Sequence, residues 1–159
     1  MYKTILVPLD GSMRAEAILP HVEELAHRFE ASIILLEVVE LTPPIGAADK
    51  TYATLRQRDL DRQTKQVQAY LTAKQGEFRA KGIQANIRIM YGPVVKAIIK
   101  VAQQDNVDLI AIASHGRSGV HQAFYGSVAA GVLQRIDRPL LLIRSRDRAR
   151  NTKPTSPES

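Results

Sequence analysis

Residues 109–128 constrain the fold of this chain more than any other stretch. They begin with an apolar run, Leu109–Ala113, that is short enough to be a buried strand. Three glycines then interrupt the apolar pattern, and Ser127 follows the last of them. Serine is a good N-cap, so we expect a helix to start at Ser127 and to run along the apolar-periodic segment to Ile136. The stretch therefore predicts a strand, a glycine loop and a helix N-terminus.

A glycine loop in this position is suited to binding an anion. Glycines let the backbone approach a ligand without a Cβ clash. A helix start offers unpaired N–H groups and the positive end of the macrodipole, so phosphate is the natural ligand. We expect contacts from Gly116, Gly126 and Ser127; the alternative is an ordinary strand-to-helix turn. Gly119 fits a plain turn equally well, and Arg117 would either add charge or point to solvent.

Apolar runs and amphipathic segments alternate along the rest of the chain. Pro20 predicts a kink in the first helix, and the many Gln, Arg and Lys residues of the second helix indicate a solvated outer face. Strands that alternate with helices imply crossover connections and a doubly wound parallel sheet. The predicted strands are 2–9, 32–39, 83–90, 107–113 and 139–143, and the predicted helices are 12–29, 52–80, 94–104 and the segment from 127.

The loop and both ends of the chain resemble one known family. Universal stress proteins (the UspA family) have Gly, two residues, Gly, nine residues, Gly, and then Ser or Thr. Gly116, nine residues, Gly126 and Ser127 match this pattern, whereas Ala113 stands where the family has its first glycine. Residues 5–12, Ile-Leu-Val-Pro-Leu-Asp-Gly-Ser, are similar to the family's first strand, and residues 138–143 are similar to its last. The resemblance covers residues 1–145.

The resemblance implies an α/β fold with five parallel strands in the order 3-2-1-4-5 and helices on both faces. It implies a module that binds ATP, together with Mg²⁺, and acts as a stress-response regulator; we expect no metal ligand from protein side chains. Asp10 would then hydrogen-bond the adenosine part, although it could also cap the helix at Ser12, and the backbone of Val38 would contact adenine. The full set of expected nucleotide-binding residues is Pro8, Asp10, Val38, Ala113, Gly116, Arg117, Gly119, Gly126, Ser127 and Val128.

Several enzyme classes are disfavoured by missing motifs. The chain has no Gly-x-x-x-x-Gly-Lys-Ser/Thr, no Gly-x-Gly-x-x-Gly after the first strand and no Gly-x-Ser-x-Gly. His115 adjoins the loop, but no carboxylate at a telling spacing orients it. We therefore predict no catalytic residue and, at most, slow ATP hydrolysis. A slow ATPase or phosphotransferase remains an alternative, as does a family member that has lost nucleotide binding, because Ala113 departs from the pattern.

Composition bounds the location and the partners of the chain. It has 159 residues, no cysteine and no apolar run of transmembrane length, and its N-terminus does not resemble a signal peptide, so we expect one cytoplasmic domain over 1–145. Half of the net charge of +6 lies in residues 144–159. We expect residues 146–159 to be a disordered, solvated tail; nucleic-acid binding through it is the alternative. An unknown protein partner is compatible with a regulatory role.

The last predicted strand favours self-association. In the order 3-2-1-4-5 the strand that begins at Pro139 and ends at Ile143 lies at the sheet edge. Its sequence, Leu-Leu-Leu-Ile after the proline, has no inward charge to discourage pairing. We expect a homodimer in which this strand pairs with the same strand of a second copy.

Overall fold

The computed structural model describes residues 1–41, 50–114 and 126–145. Five strands and five helices lie in these ranges, and strands and helices alternate as the sequence predicts except that two helices separate the first two strands. In chain order they are β1 (Thr4–Leu9), α1 (Met13–Glu16), α2 (Leu19–Phe29), β2 (Ser32–Val39), α3 (Lys50–Ala80), β3 (Ala85–Tyr91), α4 (Val94–Gln104), β4 (Leu109–Ala113), α5 (Ser127–Leu133) and β5 (Leu140–Ile143).

The five strands form one parallel sheet in the order β3-β2-β1-β4-β5. The predicted fold class and strand order are therefore confirmed. Strands β2 and β3 lie on one side of β1, and β4 and β5 lie on the other. The connections after β1 and β4 therefore leave toward opposite faces of the sheet. Ligands of open α/β sheets bind at such a switch point, beyond the carboxyl ends of the strands.

A separate apolar core covers each face of the sheet. Alternate strand residues such as Ile5, Val7 and Leu35 pack with α1, α2 and α3, and Leu71 and Phe78 are the residues of α3 that are buried. The intervening residues, such as Leu6 and Leu36, pack with α4 and α5. Burial on both faces explains why these strands are apolar throughout rather than alternating.

The helix predicted at residues 12–29 is two helices rather than one kinked helix. Pro20 has no N–H to donate to the carbonyl of Glu16, and its ring would clash with that carbonyl. Helix α1 accordingly ends at Glu16, and α2 begins at Leu19 with the proline in its first turn. The consequence is a short α1 that stands directly beside the end of β1.

Strands β3 and β4 each begin two residues later than predicted because their first apolar residues terminate the preceding helices. The Ile83 N–H donates to the Phe78 carbonyl across Gly82, whose φ is +77°. The Val107 N–H donates in the same way to the Ala102 carbonyl across Asn106, whose φ is +48°. Both are helix C-terminal motifs with a left-handed residue, which leave β3 to begin at Ala85 and β4 at Leu109.

Three stretches fall outside the described residues: 42–49, 115–125 and 146–159. The tail predicted at 146–159 and the domain boundary at residue 145 therefore stay predictions. No helix within the described ranges is long and apolar enough to cross a membrane.

Candidate functional site

A cleft of about 920 Å³ opens at the carboxyl ends of β1, β2 and β4, between α3 on one side and the start of α5 on the other. It lies at the switch point of the sheet, where the topology favours a ligand. Seven of the ten predicted nucleotide-binding residues line it: Pro8, Asp10, Val38, Ala113, Gly126, Ser127 and Val128. The other three, Gly116, Arg117 and Gly119, lie outside the described residues, as does His115.

Asp10 is oriented by the turn that follows β1. Its Oδ1 accepts hydrogen bonds from the Ser12 N–H at 2.9 Å and from the Ser12 hydroxyl at 2.6 Å. Ser12 is the N-cap of α1, and its Oγ accepts from the Ala15 N–H at 3.1 Å. Asp10 thus holds the capping residue rather than capping the helix itself, and this contact fixes the carboxylate at the floor of the cleft.

Gly126 is required by the backbone around it. Its φ is +67°, a region that favours glycine, and a Cβ built on it would overlap the carbonyl oxygen of Ser114. The end of β4 and the start of α5 therefore lie close together. The glycine that the family pattern assigns to phosphate also has a structural reason to be glycine.

Ser127 is the first residue of α5, and the prediction that it would be the N-cap is wrong. The N-cap is Gly126, which has no side chain to offer the first turn. The Ser127 side chain is exposed, lines the cleft and makes no hydrogen bond within the described residues. Its hydroxyl and the first-turn N–H groups are therefore available to a ligand.

Ser114 was missed by the sequence reasoning. It follows β4 directly and lines the cleft, and it is only 3% exposed. Its N–H donates to the Ile143 carbonyl at 2.7 Å, but its Oγ is buried without a hydrogen-bond partner in the described part of the chain. A buried hydroxyl without a partner is costly. A polar residue directly after a buried strand was the signal that would have found it.

Ala113 occupies the place of the family's first glycine without filling the cleft. Its methyl group belongs to the core that packs against α1, and the residue is 7% exposed. The neighbouring floor of the cleft is formed by Pro8 of β1 and Val38 of β2, both half-buried. The departure at Ala113 is therefore accommodated by the core.

Helix α3 supplies the second side of the cleft, which the sequence reasoning assigned to solvent. Gln63, Gln66, Val67 and Tyr70 recur at helical spacing and line it. We call these four residues the α3 wall. The start of α5 and the end of β4 form the opposite side, which we call the strand-end wall, defined by Ala113, Ser114, Gly126 and Ser127.

The α3 wall is fixed to α1 by a polar cluster. The Tyr70 hydroxyl donates to Glu16 Oε1 at 2.7 Å, and the Lys74 ammonium lies 3.2 Å from Glu16 Oε2 and 3.3 Å from Glu77. Burial raises the pKa of Tyr70, and the hydrogen bond to Glu16 and the nearby carboxylates of Glu37 and Asp10 raise it further. Tyr70 therefore remains a neutral hydrogen-bond donor.

The lining of the cleft is acidic among the described residues. Asp10, Glu37 and Glu40 line it, and no lysine or arginine of the described ranges does. Glu37 is 9% exposed, whereas Glu40 is exposed. The described residues contain no cluster of three or more His, Cys, Asp or Glu that would hold a metal ion. A polyanionic ligand entering this cleft would benefit from a cation that comes with it.

The sequence and the fold are similar to those of known proteins. The chain is 25% identical over 158 residues to universal stress protein MJ0577 of Methanocaldococcus jannaschii, which covers 92% of this chain and 98% of that protein. The solved structure of MJ0577 superimposes with a TM-score of 0.81 at 25% identity over 92% of this chain and 99% of that one.

Two further solved structures share the fold and contain adenine nucleotides. A universal stress protein in complex with cAMP has a TM-score of 0.68 at 20% identity, over 91% of this chain and 98% of that one. The universal stress protein from Archaeoglobus fulgidus in complex with dAMP has a TM-score of 0.57 at 21% identity, over 89% and 98%. The sequence profile of the Universal stress protein family matches residues 1–144. Together with the sheet order, this match shows that the chain belongs to the universal stress protein family.

Proposed function

We propose that this protein binds an adenine nucleotide in the cleft, namely ATP with Mg²⁺, and acts as a nucleotide-responsive regulator in a stress response. One observation carries the proposal: seven of the ten predicted positions, which come from β1, β2, β4 and the start of α5, converge on one cleft at the switch point of the sheet. The complexes of two proteins of the same fold with cAMP and dAMP support adenine as the base.

The phosphates belong at the strand-end wall. Ser127 offers a hydroxyl without a partner in the described residues, and the close approach of Gly126 to Ser114 leaves no side chain between the first turn of α5 and the cleft. Asp10, fixed by Ser12, faces the sugar, and the backbone of Val38 lies at the base end. Bound Mg²⁺ would offset phosphate charge beside Asp10, Glu37 and Glu40.

Thermal unfolding with and without ATP and Mg²⁺ tests the proposal. A ligand at a hundred times its Kd stabilises the native state by about 2.7 kcal/mol, which raises Tm by several degrees. Ser127→Asp should weaken ATP binding at least about tenfold, because it places a carboxylate beside the phosphates. Ser127→Thr keeps the hydroxyl and is the matched control. If millimolar ATP with Mg²⁺ leaves Tm unchanged, the chain belongs to those family members that do not bind ATP.

Hydrolysis, where it occurs, should be slow. The cleft-lining residues in the described ranges include no lysine, and no histidine lies beside a carboxylate there. Phosphoryl transfer needs a positioned nucleophile and groups that stabilise the charge on the transferred phosphoryl. A turnover of about 1 s⁻¹ or faster would show that the chain has a catalytic group that this reasoning does not identify.

We also infer a homodimer through β5. The strand lies at the sheet edge beside β4, and its four residues, Leu140–Ile143, are all half-buried. One side of this strand therefore leaves backbone groups without a partner strand within the described sheet. At least one of the variants Leu141→Lys and Leu142→Lys should weaken the dimer in light scattering, because the two side chains point to opposite faces of the sheet. A wild-type protein that is monomeric at tens of micromolar would refute this interface.

A further inference from the structure

The two glutamines of the α3 wall differ from the other glutamines of the same helix. Gln57 donates to Asp61 at 2.9 Å, Gln68 donates to Thr72 at 3.4 Å, and Gln75 donates to the Ala85 carbonyl at 2.8 Å. Gln63 and Gln66 make no hydrogen bond within the described residues, and both line the cleft. Each carries one acceptor oxygen and two N–H donors toward the site.

The sheet order sets which part of a nucleotide reaches these amides. Helix α3 packs on β2 and β3, and the Thr64 Oγ1 lies 3.1 Å from the Tyr91 hydroxyl at the end of β3. Helix α5 begins after β4, on the far side of β1. The strand-end wall and the α3 wall are therefore opposite ends of the cleft. A nucleotide with its phosphates at Ser127 directs its base toward β2 and the α3 wall.

The other two members of the α3 wall, Val67 and Tyr70, can pack against a base but do not offer hydrogen bonds to its polar edge. Val67 is apolar and half-buried. The Tyr70 hydroxyl donates to Glu16 Oε1. Neither side chain offers a free donor and acceptor pair. Gln63 and Gln66 do, since each amide presents both groups.

We propose that Gln63 and Gln66 hydrogen-bond the base and set the preference of this protein for adenine. The assignment rests on the proposed nucleotide site. An amide pairs in a bidentate manner with the amino group and ring nitrogen of adenine, a pairing that glutamine makes with this base in nucleic-acid recognition. Gln63 lines the cleft and not the adjacent groove. Gln66 lines the cleft and also that groove, which Arg62 and Lys65 line as well. Gln63 is therefore the principal contact.

The test compares ATP with ITP, whose base has an oxygen acceptor in place of the 6-amino donor. In calorimetry with Mg²⁺, the wild-type protein should bind ATP about tenfold more tightly than ITP. Gln63→Ala/Gln66→Ala should weaken ATP binding about tenfold and bring the ATP-to-ITP ratio close to one. The single variant Gln63→Ala should have the larger part of this effect. If the two glutamines only held α3 in place, the double variant would weaken the binding of ATP and ITP equally and leave the ratio of the two affinities unchanged.

Gln57→Ala/Gln68→Ala is the matched control, because it makes the same two changes in the same helix away from the cleft. Alanine favours the helix, so both double variants should keep the wild-type Tm without ligand. Wild-type affinity and an unchanged ratio in Gln63→Ala/Gln66→Ala would overturn the assignment and leave the proposed function standing. Failure of wild type to bind either nucleotide would overturn the proposed function, and with it this assignment.

Discussion

The two walls of the cleft are built by different means. The strand-end wall is set by backbone: Gly126 holds a positive φ and touches the Ser114 carbonyl, and the Ala113 methyl is part of the core. The α3 wall is set by side chains on one face of a long polar helix, held to α1 through Tyr70 and Glu16. The strand-end wall depends on the backbone conformation at Gly126, whereas the α3 wall offers side-chain hydrogen-bonding groups to a ligand.

This difference predicts how each wall responds to substitution. A change at Gly126 or Ala113 of the strand-end wall alters backbone geometry or core packing and changes the free energy of unfolding, whereas a change at the exposed Ser127 acts on the ligand. A change at an exposed amide of the α3 wall removes a ligand contact and leaves the helix intact, because α3 is anchored by Leu71 and Phe78 elsewhere. Effects on stability and on nucleotide affinity should therefore be separable by the position that is changed.

The largest effect on stability is expected for Gly126→Ala. The new Cβ would overlap the Ser114 carbonyl oxygen, and φ at this position is +67°. Left-handed strain and forced displacement of backbone together should lower the free energy of unfolding by about 2–4 kcal/mol, measured by urea denaturation. For this reason Gly126 is a poor position for testing phosphate contacts alone.

Gly76→Ala is the matched control for that variant. Gly76 lies inside α3, and a Cβ built on it meets no atom within 4 Å. Replacing a glycine within a helix by alanine should raise the free energy of unfolding by about 0.5–1 kcal/mol. Equal responses at the two glycines would contradict a backbone-determined strand-end wall.

A smaller effect is expected for Tyr70→Phe. The variant loses the donor to Glu16, while Lys74 remains beside that carboxylate, so the free energy of unfolding should fall by about 1–2 kcal/mol. A carboxylate contact is lost, but no cavity forms. Chemical denaturation at pH 8 measures this loss, and a wild-type value would show that the hydrogen bond does not hold α3 to α1.

The same variant should change the pH dependence of stability. Burial, followed by the bond to Glu16, raises the pKa of Tyr70 above its ordinary value of 10.0. The folded state then keeps this proton where the unfolded chain loses it, so the stabilisation is present below pH 10 and is lost as pH rises further. Burial opposes the charge of Lys74, but Glu16 and Glu77 outweigh it and raise that pKa too. Between pH 9.5 and 11, Tyr70→Phe should therefore lose stability less steeply than wild type, without becoming independent of pH.

The contrast between the walls also explains what the sequence was able to predict. Strand order and the positions of Asp10 and Ser127 were predictable, since strand ends and glycine loops leave short local patterns and the family resemblance joins them. The break before Leu19 and the late start of β3 were not, because they depend on where Pro20 and Gly82 interrupt backbone hydrogen bonds.

The α3 wall left no comparable pattern in the sequence. Gln63 and Gln66 are polar residues on a polar helix, and only packing shows which face of that helix turns toward the cleft. Ser114 differs, since a polar residue directly after a buried strand is a local signal, but only the structure shows that its hydroxyl is buried beside the cleft. Surface composition predicts that a helix is amphipathic, but its rotation about its own axis is fixed by tertiary contacts.

The smallest loss of stability is expected for Ala113→Gly, which restores the first glycine of the family pattern. The Ala113 methyl packs into the core beside α1. Its removal should lower the free energy of unfolding by about 1 kcal/mol, through lost burial and a more flexible strand end. Nucleotide affinity should stay within about twofold of wild type, because the methyl group leaves the ligand space open. Calorimetry with ATP and Mg²⁺ measures the affinity, and urea denaturation measures the free energy of unfolding. A large gain in affinity would instead show that Ala113 obstructs the phosphates, and the strand-end wall would then limit binding chemistry as well as backbone conformation.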